Sequence, residues 1–209
     1  MPSGENASPW TRWVRGMLGQ PKRAQGNKDE LMSLLLATLL PGLILVAVGG
    51  ALLSGNTLVS SSFKSFPRST NATLVFFGAA SGWFLYRVWN LSPADFGEYR
   101  LPLFIGFALV AALSYWCVPD FLAVRGLAAL VLLAASPILD AGYMNYQPQV
   151  YPLKVFVYLC IALAIWIGAS PYRLRDFLEW LFRTSDRPRV IGSALLGYGV
   201  LLGIMAFAY

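Results

Sequence analysis

The sequence predicts an all-α fold: a polytopic bundle of about six transmembrane helices, with two further amphipathic helices at the membrane interface. Two observations lead there. Hydrophobic residues make up 57% of the 209-residue chain and charged residues only 12%, about half the charged fraction of a soluble domain. The charges are also segregated: none falls in Leu31–Phe63, Ser69–Tyr86, Leu101–Pro119, Gly126–Leu139, Val155–Tyr172 or Val190–Tyr209. Most of these windows approach or exceed the ~20 apolar residues that a helix needs to cross the hydrocarbon core. Backbone amides in lipid must be satisfied within the segment, so the spans are helices. A transmembrane barrel needs short alternating segments, and these runs do not alternate. Residues 1–30 read as a basic tail and residues 31–209 as a single transmembrane domain.

The tail contains "ENASPWTRWVRGMLGQPKRAQGNKDE". Ser8 suits a helix N-cap and Pro9 the first helical position. Trp10, Trp13, Val14, Met17 and Leu18 then share one helical face, with Arg12 and Arg15 off it. This predicts a short helix lying on the membrane, with Trp10 and Trp13 as anchors at the interface. A tail without fixed structure is the competing reading. The first 28 residues are polar and basic with no early apolar core, so the first span is expected to direct insertion.

That span is expected over Leu31–Ser54, with Pro41 in its interior as a kink. The stretch "GNTLVSSSFKSFPRSTN" follows as the longest polar connection. A second span covers Ala72–Asn90 and ends in Tyr86, Arg87 and Trp89. In "LSPADFGEYR", Ser92 and Asp95 have capping-box spacing, which predicts a short surface helix or turn. The third and fourth runs, Leu101–Val118 and Phe121–Leu139, are split only by Pro119 and Asp120. A tight helical hairpin fits them, with Arg125 near enough to the boundary to snorkel. A fifth span runs from Pro152 to Ser170. The sixth, "VIGSALLGYGVLLGIMAFAY", has Gly199 and Gly203 four apart, as in a small-residue packing face.

Between the last two spans lies "SPYRLRDFLEWLFRTSDRPR". Ser170 and Pro171 suit a helix start. Leu174, Phe177, Leu178 and Leu181 make an apolar stripe, while Arg175, Glu179 and Arg183 make i,i+4 pairs off it. This predicts an interfacial helix, with Arg173, Arg175, Trp180, Arg183, Arg187 and Arg189 as membrane-surface anchors. A soluble arginine patch for a partner is the runner-up.

Charge leaves the orientation balanced. Six spans put the five basic residues of the tail, Arg87, Arg100 and Lys154 on one side. Lys64, Arg68, Arg125 and the five arginines of 170–189 fall on the other. Each side holds eight, so the positive-inside rule ties. Five spans, with one of the three middle runs only dipping into the membrane, would bring both basic surface helices to one side. The flanking arginines favour a cytoplasmic place for residues 170–189.

The chain has no histidine. That excludes a Ser-His or Cys-His nucleophile pair, an HExxH zinc site and bis-histidine haem ligation. No phosphate-loop or dinucleotide fingerprint occurs. Cys117 and Cys160 stand apart inside apolar runs, without metal spacing. No catalytic residue, cofactor or metal ligand is assigned, and the chain is not expected to be an enzyme. One polar cluster stands out as a candidate pocket: Asp140, Tyr143, Asn145, Tyr146 and Lys154 at the junction of the fourth and fifth runs. Asp140 and Lys154 could pair at the membrane edge. The competing reading is a pair of span-end charges beside an aromatic belt.

The net charge of +6 sits beside apolar runs, so the expected partner is the anionic headgroup layer of the bilayer, not nucleic acid. The segment from the fifth span through "SPYRLRDFLEWLF" into the glycine-rich last span resembles hairpins of small bacterial inner-membrane proteins. That resemblance implies a bacterial inner (plasma) membrane location and brings no functional residue. The expected role is a non-enzymatic accessory or scaffold component of a membrane complex, with protein partners or homo-oligomers. The alternative is a small-molecule transporter, or the substrate-binding membrane subunit of one.

Overall fold

The computed structural model of the chain describes residues 26–92, 96–117, 120–143, 145 and 147–208, with side chains from Leu34 onward. All regular structure among these residues is helical. The expected tail helix, with Trp10 and Trp13, lies outside the described residues, as do Asp95 and Tyr146.

The described residues form six long α-helices and two short ones. They are α1 (Gly26–Leu53), α2 (Thr57–Ser65), α3 (Thr70–Trp89), α4 (Arg100–Cys117), α5 (Leu122–Ala141), α6 (Tyr151–Ala169), α7 (Tyr172–Leu181) and α8 (Asp186–Ala206). Among the described residues, five segments are long and apolar enough to cross a membrane: Leu34–Leu53, Gly97–Cys117, Leu122–Ala141, Pro148–Ala169 and Asp186–Ala206. The protein is thus a helical chain built for a bilayer. The expected second span, α3, is not among the five. Its 20 residues include Thr70, Asn71, Thr73, Ser81 and Arg87, which dilute its hydropathy.

The tightest pair is α1 with α8, and glycine makes it so. A Cβ on Gly49 would lie 2.7 Å from the Gly192 carbonyl oxygen, and one on Gly199 would lie 2.8 Å from that of Gly42. Small residues let backbones approach where lipid supplies no hydrophobic drive between helices. The face expected from Gly199 and Gly203 is therefore corrected. The close contacts fall at Gly192 and Gly199, two turns apart, while a Cβ on Gly203 would meet nothing within 4 Å. Helix α1 runs unbroken through Pro41. Leu34 and Leu45 of α1 join Ala135, Val150, Leu153, Val157 and Leu202 in one core cluster.

A second group forms around α5. Gly126 lets α5 settle on α3, since a Cβ there would meet the Phe76–Phe77 backbone at 2.5–2.8 Å. Gly168 of α6 approaches Ala128 on the other side of α5. The third long helix is peripheral: α4 packs on α3, makes at most glancing contact with α5 and has no buried residue. The expected tight hairpin of the third and fourth runs is thus wrong. Its link is short, but Phe84–Phe107 and Trp89–Phe104 ring contacts at 5.0 and 5.4 Å draw α4 onto α3 instead.

The polar connection after the first span is also corrected. It folds as α2 and a 3-10 turn, Phe66–Arg68. The Asn56 side chain caps α2 by accepting from the Leu58 N–H at 3.0 Å. Ser60, Ser61 and Ser65 return their hydroxyls to carbonyls three residues back.

Candidate functional site

These contacts fix which helix ends lie together. Helix α2 touches α7, α5 touches the Phe66–Arg68 turn, and α1 runs against α8. One end of the bundle therefore gathers α2, the start of α5, α7 and the start of α8. It collects Lys64, Arg68, Arg125, Arg173, Arg175, Arg183, Arg187 and Arg189, against Asp120, Asp176, Glu179 and Asp186. We call it the basic face.

Helix α7 is built to lie along this face. Leu178 and Leu181 are buried against Leu52 of α1, with Leu174, Phe63 and Phe182 around them. Phe177, expected in the same stripe, instead turns outward and stacks on Trp180 with ring centres 5.9 Å apart. The expected cap by Ser170 is absent: Pro171 is the N-cap and makes no side-chain hydrogen bond. Of the expected ion pairs, Arg175–Glu179 forms at 3.7 Å. No Glu179–Arg183 pair exists among the described residues. Arg175 instead holds Asp176 through Nε and Nη2 at 3.1 and 2.9 Å. That hydrogen bond and the Asp176 charge raise the Arg175 pKa further, so it is always cationic. Hydrogen bonding to Arg173 and Ser170, with the charge of Arg173, lowers the Tyr172 pKa.

The arginines divide by what they touch. Arg173 lies over the Trp166 ring at 5.1 Å. Arg187 lies over Trp180 at 4.5 Å and donates to its carbonyl oxygen at 2.8 Å. Both are held by aromatic faces, as guanidinium groups at an interface often are. Arg183 and Arg189 do something else. With Lys64, Asn56, Ser60, Thr184 and Ser185 they line a polar hollow of about 230 Å³ between the end of α1, α2 and the α7–α8 corner. Lys64 is steadied over the Phe182 ring at 5.8 Å. No described carboxylate pairs with Lys64, Arg183 or Arg189; both described ion pairs belong to Arg175. Three cations and three hydroxyls around one hollow can hold a phosphate or carboxylate.

This corner was not foreseen as a unit. Arg183 and Arg189 stood out in the sequence, but Lys64 and Ser60 are more than a hundred residues away. Asn56 ahead of Leu58, Val59 and Phe63 was the available signal for α2.

The polar cluster predicted at residues 140–154 lies at the opposite end. Asp140, at the end of α5, accepts from the Ser136 hydroxyl at 3.4 Å. Lys154 donates to the Asn145 carbonyl oxygen at 3.1 Å. Asn145 in turn accepts the Gln147 N–H at 3.1 Å, and Tyr143 is exposed. Asp140 and Lys154 share an end of the bundle but do not form an ion pair, because each is satisfied locally. The ammonium closes a turn instead of meeting the carboxylate.

The chain matches no protein-family model, no curated protein and no solved structure.

Proposed function

We propose that the protein is a multi-pass, non-enzymatic accessory or scaffold component of a membrane complex, in a bacterial-type inner membrane. Helix α3 counts as a sixth crossing, since 20 residues rise about 30 Å, the thickness of the hydrocarbon core. The observation that carries the reading is where polar groups go. Among the described residues the buried polar side chains are Thr38 and Thr73, while the charges stand at helix ends. Ion-coupled transport uses ionisable groups facing the bundle interior, and this arrangement favours a scaffold over a transporter. The basic face then sits in the headgroup layer, where each nearby Lys or Arg is worth about 1 kcal/mol on an anionic surface. Flanking arginines favour the cytoplasmic side for it.

The test is native mass spectrometry of the full chain extracted with its lipids. A protein partner at fixed stoichiometry, lost when Lys64, Arg183 and Arg189 are all changed to Glu, is the expected result. A lone chain that moves a solute across liposomes would overturn the reading.

A further inference from the structure

The splaying of α4 from α5 leaves a crevice between α3, α4 and α5, with a volume of about 510 Å³. That is within the ~300–1,000 Å³ range of small-molecule sites. Its walls are almost wholly apolar and include Phe77, Phe84, Phe107, Val110, Leu132 and Leu133. One charged side chain lines it: Arg125, exposed and in the first turns of α5. No described carboxylate forms an ion pair with this guanidinium.

The shape says what would fill it. The α5 wall runs from Leu122 to Leu133, about 16 Å at helical rise, close to half the ~30 Å hydrocarbon core. The crevice therefore reaches through one leaflet. Its outer end is at the basic face, where Arg125 and Ser114 lie near the ends of their helices. Toward its inner end Phe84 meets Phe107 edge to face, with ring centres 5.0 Å apart. A partner's transmembrane helix would need a groove of full membrane depth. A cation at the mouth and an apolar slot one leaflet deep match an amphiphile with an anionic head.

We infer that this crevice is a binding site for an anionic phospholipid of the leaflet at the basic face. One acyl chain lies between α3, α4 and α5, and the phosphate meets Arg125. Arginine presents several donors in a planar fork that matches phosphate, and its long stem lets the charge rise to headgroup level. The slot belongs to groups other than the Lys64–Arg183–Arg189 hollow, so it stands apart from the proposed scaffold role.

The test uses the full chain in detergent, titrated with phosphatidylglycerol or phosphatidylcholine and read by native mass spectrometry. The wild type should retain one phosphatidylglycerol in preference to phosphatidylcholine. Arg125→Gln should weaken phosphatidylglycerol retention by about tenfold or more, the effect of losing a charge-assisted hydrogen bond. Arg125→Lys should restore part of it. Ala111→Phe fills the slot from α4, which has no buried residue to disturb, and should weaken both lipids. Equal retention of the two lipids by the wild type would overturn the proposal. So would phosphatidylglycerol binding that both Arg125→Gln and Ala111→Phe leave unchanged, or a protein helix found cross-linked in the slot.

Discussion

Replacing Gly49 by alanine should push α1 and α8 apart, although alanine is the better helix former. The added Cβ would lie 2.7 Å from both the Gly192 carbonyl oxygen and the Leu196 nitrogen, and 3.0 Å from the Leu196 Cβ. The first two are backbone atoms of a packed helix and the third is fixed to that backbone, so none can swing aside. Relief requires the two helices to separate by roughly 0.7 Å, and a gap of 0.5–1 Å forfeits a quarter to a half of each contact's dispersion well. The Gly42–Gly199 approach two turns away would loosen with it. Overpacking of this kind costs about 1–3 kcal/mol. Gly50 provides the control, because a Cβ there meets nothing within 4 Å. Gly50→Ala should be neutral, or gain up to about 1 kcal/mol of helix propensity. The assay is reversible unfolding in mixed micelles, or steric trapping in bicelles, with both variants measured against wild type. If Gly49→Ala is as stable as Gly50→Ala, the glycine-mediated α1–α8 interface is wrong.

Two further substitutions follow from the packing. Leu202 is fully buried in the core shared by α1, α5, α6 and α8. Leu202→Ala should destabilise by about 1–2 kcal/mol in the same unfolding assay. That is less than the ~2–5 kcal/mol of a soluble core, because the unfolded reference in lipid keeps most of the transfer term. The Tyr198 hydroxyl donates to the Pro152 carbonyl oxygen at 2.9 Å and ties α8 to the start of α6. Tyr198→Phe should cost about 0.6 kcal/mol, the mean for hydrogen bonds between membrane helices, and a double cycle with a distant site should be additive.

Charge segregation made the helical membrane class legible before any contact was known. Five of the six charge-free windows recur as apolar helices of spanning length, because excluding charge from lipid is a strong, local rule. The window over α3 was harder to read, since Thr73, Ser81 and Arg87 dilute an otherwise apolar helix. Helix α2 was missed because a run of serines reads as loop: serine competes for its own backbone. Here the serines satisfy those bonds within the helix, and the Asn56 cap fixes the start. Pairing was the least legible level. Gly199 and Gly203 have motif spacing, yet Gly192 and Gly199 make the contact, because the partner's Gly42 and Gly49 are also seven apart. In the same way Arg183 and Arg189 were visible, but Lys64 reaches them only once α2 folds back over α7. Asp140 and Lys154 are close along the chain, but local partners satisfied each of them first.

The account rests on α2 and the α7–α8 corner sharing one face of the membrane, which holds when α3, α4, α5 and α6 all cross. The most direct test labels single cysteines with a membrane-impermeant maleimide in a Cys117→Ser, Cys160→Ser background. Reporters at Ser60, Thr184 and Gln147 suffice. We predict that Ser60 and Thr184 label from the same side and Gln147 only from the other. Labelling of Ser60 and Thr184 from opposite sides would mean that an odd number of the four helices fails to cross, and would dismantle the basic face.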